Sequence, residues 1–401
     1  MKHLLLILCA AFYPLTIHAD ALQFTAPLTV TTATKDVFIH LDSSGRRSLA
    51  VSDEVVAVIW EDNRNGKPGI YIAYHLPGKK TFTGLDEISQ PSPAYEPVIA
   101  PLAGQRFLVA WEAEDQVWLR VVSPSKKGET VAIGRTPAKQ ITVATAKGGL
   151  AGAAWSQGQQ RDAHVYYADI TIDDYAIEVA PPQLVDNSKD KDVQQYPALA
   201  LTRPGKVIAW EDRRQGATRI FSAFSPNGKA FQDYRLLNEF APSPNPELGK
   251  GSGAMRPVLA GDGRQTVAAA WMDKRNWRSG YDVFAAVSVN GGKKFGANEQ
   301  AQDMFGENVP QWHASITQSP NADVAVVAWD DTRNENPDVF YSLRVDGEWS
   351  EDYELPGASG PGRQSHPSII YDEQGVLHAV WLDNIEGQTR LQYACSVHSV
   401  Q

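Results

Sequence analysis

Val207-Ile208-Ala209-Trp210, then Glu211-Asp212-Arg213-Arg214-Gln215-Gly216, then Arg219-Ile220-Phe221-Ser222-Ala223-Phe224, is the stretch whose reading decides the fold. Two apolar runs of strand length flank a polar turn. Working outward, Tyr196-Pro197-Ala198-Leu199-Ala200-Leu201 reads as a strand before them. Pro226-Asn227-Gly228-Lys229 turns the chain again, because Asn and Gly tolerate positive φ, and Tyr234-Arg235-Leu236-Leu237 supplies a fourth strand. Four short antiparallel strands in one unit form the blade of a propeller.

The unit recurs. Trp60, Trp111, Trp155, Trp210, Trp271, Trp329 and Trp381 each end a short apolar run, at spacings of 51, 44, 55, 61, 58 and 52 residues. A fixed period of this size outranks any single motif. The chain therefore reads as all-β, a single seven-bladed β-propeller of four-stranded antiparallel blades. Its third unit keeps least of the pattern, around Ala153-Ala154-Trp155 and Val165-Tyr166-Tyr167-Ala168. The chain stops soon after the third strand of unit seven, while Leu28-Thr29-Val30-Thr31-Thr32 stands alone before unit one. This N-terminal strand is expected to close the last blade.

Residues 1–21 read as a signal peptide: Lys2 and His3 precede an apolar stretch from Leu4 to Ile17, and Ala19-Asp20-Ala21 has the small-x-small form that a signal peptidase reads. The propeller is then residues 22–401, secreted or periplasmic, with no membrane span in the mature chain. It keeps one cysteine, Cys395, which excludes an intramolecular disulfide. A net charge of −10 without basic blocks disfavours nucleic acid.

Four units carry Trp-x-Asp-x-Arg: Trp60/Asp62/Arg64, Trp210/Asp212/Arg214, Trp271/Asp273/Arg275 and Trp329/Asp331/Arg333. The Asp can cap the turn through backbone N–H groups and the Arg can pair with it, while the Trp packs as an apolar plate. A feature repeated this often reads as scaffold. Ser288-Val289-Asn290-Gly291-Gly292-Lys293-Lys294-Phe295 is a second recurring turn, with shorter copies at Ser225–Phe231 and Val345–Trp349. It resembles the Asp-box, or BNR repeat, of the sialidase-like β-propeller superfamily, with Asn for Asp and Phe for Trp. The resemblance covers roughly residues 45–398. It implies that these turns stabilise hairpins on the face away from an active site.

Function is then sought among residues that are not repeated, at the opposite mouth of the central channel. Long connections feed that face at Asp186–Gln195, Asn238–Met255, Glu299–Trp312 and Pro356–Ser365. Tyr196, Arg256, His313 and His366 stand at the entrance to first strands and are the candidate catalytic residues. Tyr95, Glu96, Trp277, Arg278, Trp312 and Arg363 are the candidate substrate-binding residues. Aromatic plates beside guanidinium and carboxylate groups suit a sugar. Asp186-x-Ser188-x-Asp190-x-Asp192 has the rhythm of a calcium loop but lacks its Gly and closing Glu, so it reads as a solvated loop. No Cys/His zinc spacing and no phosphate-cradling Gly loop is present, so no cofactor and no metal site is expected.

The resemblance implies, for a sialidase, three carboxylate-binding arginines, a Tyr/Glu nucleophile and an Asp acid/base. The chain has no Arg-Ile-Pro, and seven units depart from the six blades of that fold, so a true sialidase is disfavoured. A polysaccharide lyase needs a group to neutralise a uronate and a His or Tyr to take a proton, and the candidate residues are of those types. The leading expectation is an exported protein that binds a carbohydrate at the channel mouth and degrades it as hydrolase or lyase. The alternatives are a non-catalytic platform for a protein partner in the cell envelope and a multivalent lectin.

Overall fold

Each apolar run that ends in a repeat Trp forms the second strand of a four-stranded antiparallel sheet, and there are seven such sheets. The computed structural model describes residues 20–398 apart from 35, 42–45, 147, 160–161, 228, 233, 240–252, 276–279 and 304–308. The fourth unit shows the plan: Gln194–Thr202 innermost, then Gly205–Asp212, Arg219–Pro226 and a two-residue outer strand, Arg235–Leu236. The innermost strands touch in sequence from blade 1 round to blade 7 and back to blade 1, so the ring is closed. Among the described residues no helix is long and apolar enough to cross a membrane.

Leu28–Thr32 pairs antiparallel with Gln388–Cys395 and completes blade 7, as its isolated position in the sequence implies. The seam extends further: Thr25 N donates to Cys395 O (2.8 Å), Ala33 N to Thr389 O (2.8 Å) and Leu22 N to Tyr341 Oη (2.8 Å). Blade 3 is as regular as the others, from Ala138–Ala146 outward through Leu150–Gln157 and His164–Asp173 to Ala176–Val179. Its motif looked weakest because Gln157 replaces the Asp, yet Trp155 Nε1 still donates to Gln157 Oε1 (3.3 Å).

All seven repeat tryptophans are fully buried, between neighbouring sheets. They are more than apolar plates. Trp60 Nε1 donates to Asp62 (2.8 Å), Trp210 to Asp212 (3.2 Å), Trp271 to Asp273 (2.9 Å) and Trp329 to Asp331 (3.0 Å). The other oxygen of each Asp accepts the Arg backbone N–H at 2.8–3.0 Å, capping the turn. Each guanidinium lies over the aromatic ring of the third strand, from 3.9 Å for Arg275 over Phe284 to 4.7 Å for Arg64 over Tyr71. A buried carboxylate is thus satisfied by an indole, a backbone amide and a guanidinium within one repeat.

Asp186 departs from the solvated loop read in the sequence. It is buried, and the Arg214 guanidinium bonds it together with Asp212. Burial pushes the Asp186 carboxyl up, but the bonds from Arg214 and Ser188 outweigh it and hold it below the usual range. A guanidinium sits where a calcium loop would place its ion.

On the far face, Ser288 Oγ accepts from Gly292 N (2.9 Å) and Asn290 Oδ1 accepts from Lys294 N (3.0 Å), so Asn serves where the Asp-box has Asp. Gly292, at φ 90°, packs flat against Val207 of blade 4, where a Cβ would collide.

Candidate functional site

The face where second strands end and innermost strands begin carries one backbone feature in most blades. A β-bulge interrupts the innermost strand between Tyr95 and Val98, Lys139 and Thr142, Gln195 and Ala198, Met255 and Val258, Trp312 and Ser315, and Ser365 and Ser368. At each bulge one non-glycine residue is left-handed: Glu96, Gln140, Tyr196, Arg256, His313 and His366, with φ of 55°, 59°, 51°, 54°, 54° and 56°. In four of them Pro follows (Pro97, Pro197, Pro257, Pro367), which suits a bulge because Pro has no N–H left to pair. Blade 1 reaches the same place with Arg46: Ile59 N donates to Ser48 O (2.8 Å), giving Ser48 the register that Val98 holds in blade 2.

A left-handed L-residue costs about 1–2 kcal/mol, and in four blades the residue after the Trp supports one in the next blade. Glu96 N donates to Glu61 (3.2 Å), Gln140 N to Glu112 (2.6 Å), Arg256 N to Glu211 (2.7 Å) and His366 N to Asp330 (3.0 Å), each time from one blade into the preceding one. In blade 3 the residue after Trp155 is Ser156, and Gln140 Oε1 accepts from Tyr196 N instead (3.0 Å). The sequence reading placed Tyr196, Arg256, His313 and His366 at strand entrances. They lie within the strands, at the bulges, and the bulge turns them to the channel mouth.

The structure gathers the four candidate catalytic residues on consecutive blades 4 to 7. The Arg256 guanidinium lies 3.2 Å from the centre of the Tyr196 ring and 3.5 Å from Glu211. Burial pushes the Glu211 carboxyl up, while the Arg256 N–H and guanidinium pull it back. His313 and His366 stack at 3.7 Å between ring centres, 21° apart. His313 Nδ1 is 2.6 Å from Asp330 Oδ1, and His366 Nδ1 is 3.0 Å from Ser365 Oγ. Burial first, and the neighbouring imidazoles of His313 and His40 second, pull His366 down to about 3.

Glu96 belongs to the same ring, whereas Tyr95, Trp312 and Arg363 do not. Tyr95 and Trp312 immediately precede ring residues and stand half exposed at the outer rim, Trp312 packed on Tyr281 at 5.2 Å. Arg363 is exposed at the first residue of its strand, three positions before His366. Trp277 and Arg278 lie outside the described residues.

Four contributors escaped the sequence reading. Arg46 bonds Glu96 O (2.8 Å) and Glu112 Oε1 (2.9 Å). Gln140 joins the ring to a cavity of ≈ 370 Å³ lined also by Lys139, Ser156 and Gln195. His40 stands 6.3 Å from His366 between ring centres and 3.8 Å from Glu96. Below the ring, Arg47 donates to Leu259 O at 3.3 Å. Blades 1 and 5 are not neighbours, so Arg47 spans the channel, and burial pulls its guanidinium down.

No protein-family model and no curated protein matches the chain. Solved structures do. An α-L-arabinanase from Penicillium chrysogenum complexed with arabinobiose is similar over 93% of this chain and 98% of that one, at 9% identity and a TM-score of 0.52. A protein of unknown function from Dyadobacter fermentans is similar over 94% and 99%, at 10% identity and 0.51. A Trypanosoma rangeli sialidase is similar over 88% and 53%, at 9% and 0.45. At such identity the likeness is one of fold, and the chain shares a β-propeller fold with the arabinanase and the Dyadobacter fermentans protein.

Proposed function

We propose that this chain binds an acidic carbohydrate at the bulge-face mouth and cleaves it there. The observation that carries the reading is the ring: seven equivalent positions bear Arg46, Glu96, Gln140, Tyr196, Arg256, His313 and His366. Scaffold side chains in this protein repeat in most blades, whereas these seven positions carry five residue types, Arg and His twice each and Glu, Gln and Tyr once. That a propeller of like fold was solved with arabinobiose supports a sugar at such a mouth. The repeated arginines Arg64, Arg214, Arg275 and Arg333 are engaged by their own turns, which weighs against a lectin with one sugar per blade.

Arg256 is bonded to Glu211 along one edge only and offers the rest of its guanidinium to a sugar carboxylate. Neutralising a uronate acidifies its C5–H. Tyr196, stacked beneath Arg256, is placed to take that proton. The C5–H electron pair then forms the C4–C5 double bond, the C4–O bond breaks, and its electrons leave with the glycosidic oxygen, which takes up a proton. Tyr95 and Trp312 at the rim offer faces for flanking sugar rings. We place the activity outside the cytoplasm, on the N-terminal apolar stretch and Ala19-Asp20-Ala21.

The test is a polysaccharide degradation screen read by near-ultraviolet absorbance of the unsaturated product, alongside a glycan array. Acidic polymers are expected to bind and be cut, Arg256→Ala to lose binding, and Tyr196→Phe to keep binding and lose cleavage. Binding indifferent to both substitutions would remove the assignment. An array without signal would transfer weight to a protein partner.

A further inference from the structure

We propose that His313 and His366 hold a divalent transition-metal ion at the channel mouth. The two imidazoles come from equivalent positions of adjacent blades and stack at 3.7 Å, 21° apart. One ligand atom from each of His313, Asp330 and His366 lies within 4.8 Å of the others. The hydrogen bonds decide which atoms are donors to the ion. His313 Nδ1 is engaged by Asp330 Oδ1 at 2.6 Å, which leaves Nε2 with the lone pair. His366 Nδ1 is 3.0 Å from Ser365 Oγ, and with that hydroxyl accepting from Nδ1–H the lone pair is on Nε2 here too. Among the described residues neither Nε2 has a protein partner.

Asp330 is better read as the carboxylate that orients and polarises His313 than as a ligand. The same Oδ1 already accepts the His366 N–H at 3.0 Å, and a carboxylate–imidazole–metal relay is the usual way such a ligand is held. His40, 6.3 Å from His366, is positioned to approach as a third imidazole from blade 1. A nitrogen-rich set selects zinc, nickel, copper or cobalt and disfavours calcium and magnesium, which demand oxygen. The reading is separate from carbohydrate binding: the ion would occupy the His pair of blades 6 and 7, beside the Tyr196–Arg256 pair of blades 4 and 5.

The experiment titrates untagged, chelator-stripped full chain with ZnCl2 and CoCl2 in the absence of sugar. One ion per chain is expected, with a visible cobalt spectrum of nitrogen ligation. His313→Ala and His366→Ala should each weaken binding at least tenfold, and Asp330→Asn by roughly 10–100-fold. Should a variant fold poorly, the wild-type chain decides by itself: ion-dependent protection of His313 and His366 from diethyl pyrocarbonate, mapped by mass spectrometry. Absence of stoichiometric binding, or equal modification of both histidines with and without ion, overturns the proposal. Repeating the degradation screen with chelator keeps the two readings separate, since metal binding without cleavage and cleavage without metal are distinct results.

Discussion

Two neighbouring positions after each repeat tryptophan behave in opposite ways. The second residue on is Asp in five blades, and in four of them it does one job: it receives the indole N–H, caps the turn and pairs with the Arg. In blade 7 Asp383 accepts from Gln364 instead (2.8 Å) and Trp381 Nε1 is left without a partner. The first residue on is Glu61, Glu112, Glu211 or Asp330, and it reaches into the next blade to hold a left-handed residue whose side chain differs every time. The first layer repeats its chemistry. The second repeats only its backbone support and leaves the supported side chain free to vary. A propeller can thus place side chains of five kinds around one opening without altering the packing of its sheets.

The largest effect should come from a feature that is unrepeated and yet scaffold. Deleting residues 22–34 removes the closing strand and opens blade 7. Cooperative thermal unfolding should be lost, and an unchanged melt would show that the ring is held without closure. Asp331→Ala should come next. It strands the Trp329 indole N–H and takes from the buried Arg333 guanidinium one of its two carboxylates, Asp352 remaining at 2.7 Å, so a loss of about 1–3 kcal/mol is expected in urea unfolding. Tyr196→Phe, in the variable layer, should change stability by less than ~0.5 kcal/mol while abolishing cleavage. Comparable destabilisation by the two substitutions would erase the distinction between the layers.

How far the sequence could be read follows the same division. The blades were legible because an indole ends every second strand at a regular spacing, and the closing strand because Leu28–Thr32 had no unit of its own. Tyr196, Arg256, His313, His366 and Glu96 were legible because they open first strands. Arg46 was hidden because a longer connection separates it from Ile39–His40, the short strand that begins its blade. Gln140 was hidden because blade 3 keeps so little of the motif. Tyr95 and Trp312 stand beside the ring and not in it because side chains alternate along a strand, so the residue before a ring position faces elsewhere. Glu211 was read as a turn residue and Asp330 was not singled out, since their partners are in the next blade and no local pattern announces a contact across 45 or 36 positions.

A smaller effect tests the support layer through pH. Burial raises the Glu211 carboxyl above the ordinary Glu value in the folded protein, and Arg256 opposes the rise. A raised carboxyl contributes stability that is present below the unfolded value, ~4.3, and is lost as pH climbs through the folded one. Arg256→Ala removes part of the opposition and should move the folded value further up. Its destabilisation relative to wild type should therefore grow between about pH 4.5 and 7. In a Glu211→Gln background that growth should vanish. A pH-independent difference in urea midpoint would mean that the guanidinium does not act on Glu211.

The smallest effect concerns blade 2, which has lost the repeated layer. Ala113 stands where five other blades have Asp and blade 3 has Gln157, and Trp111 Nε1 is buried without a partner. Blade 3 shows that a neutral amide suffices, since Gln157 accepts from Trp155 at 3.3 Å. Ala113→Asn should offer Trp111 the same acceptor without the cost of burying a charge that Asp115 cannot balance. The gain should be ~0.5–1 kcal/mol, the net worth of one neutral hydrogen bond, measured by urea unfolding at neutral pH. An Ala113→Asp variant should be the worse of the two, because the Arg that pairs with the carboxylate in the other blades is replaced by Asp115. If Asp stabilised more than Asn, the indole rather than the guanidinium would be the partner that makes these buried carboxylates tolerable.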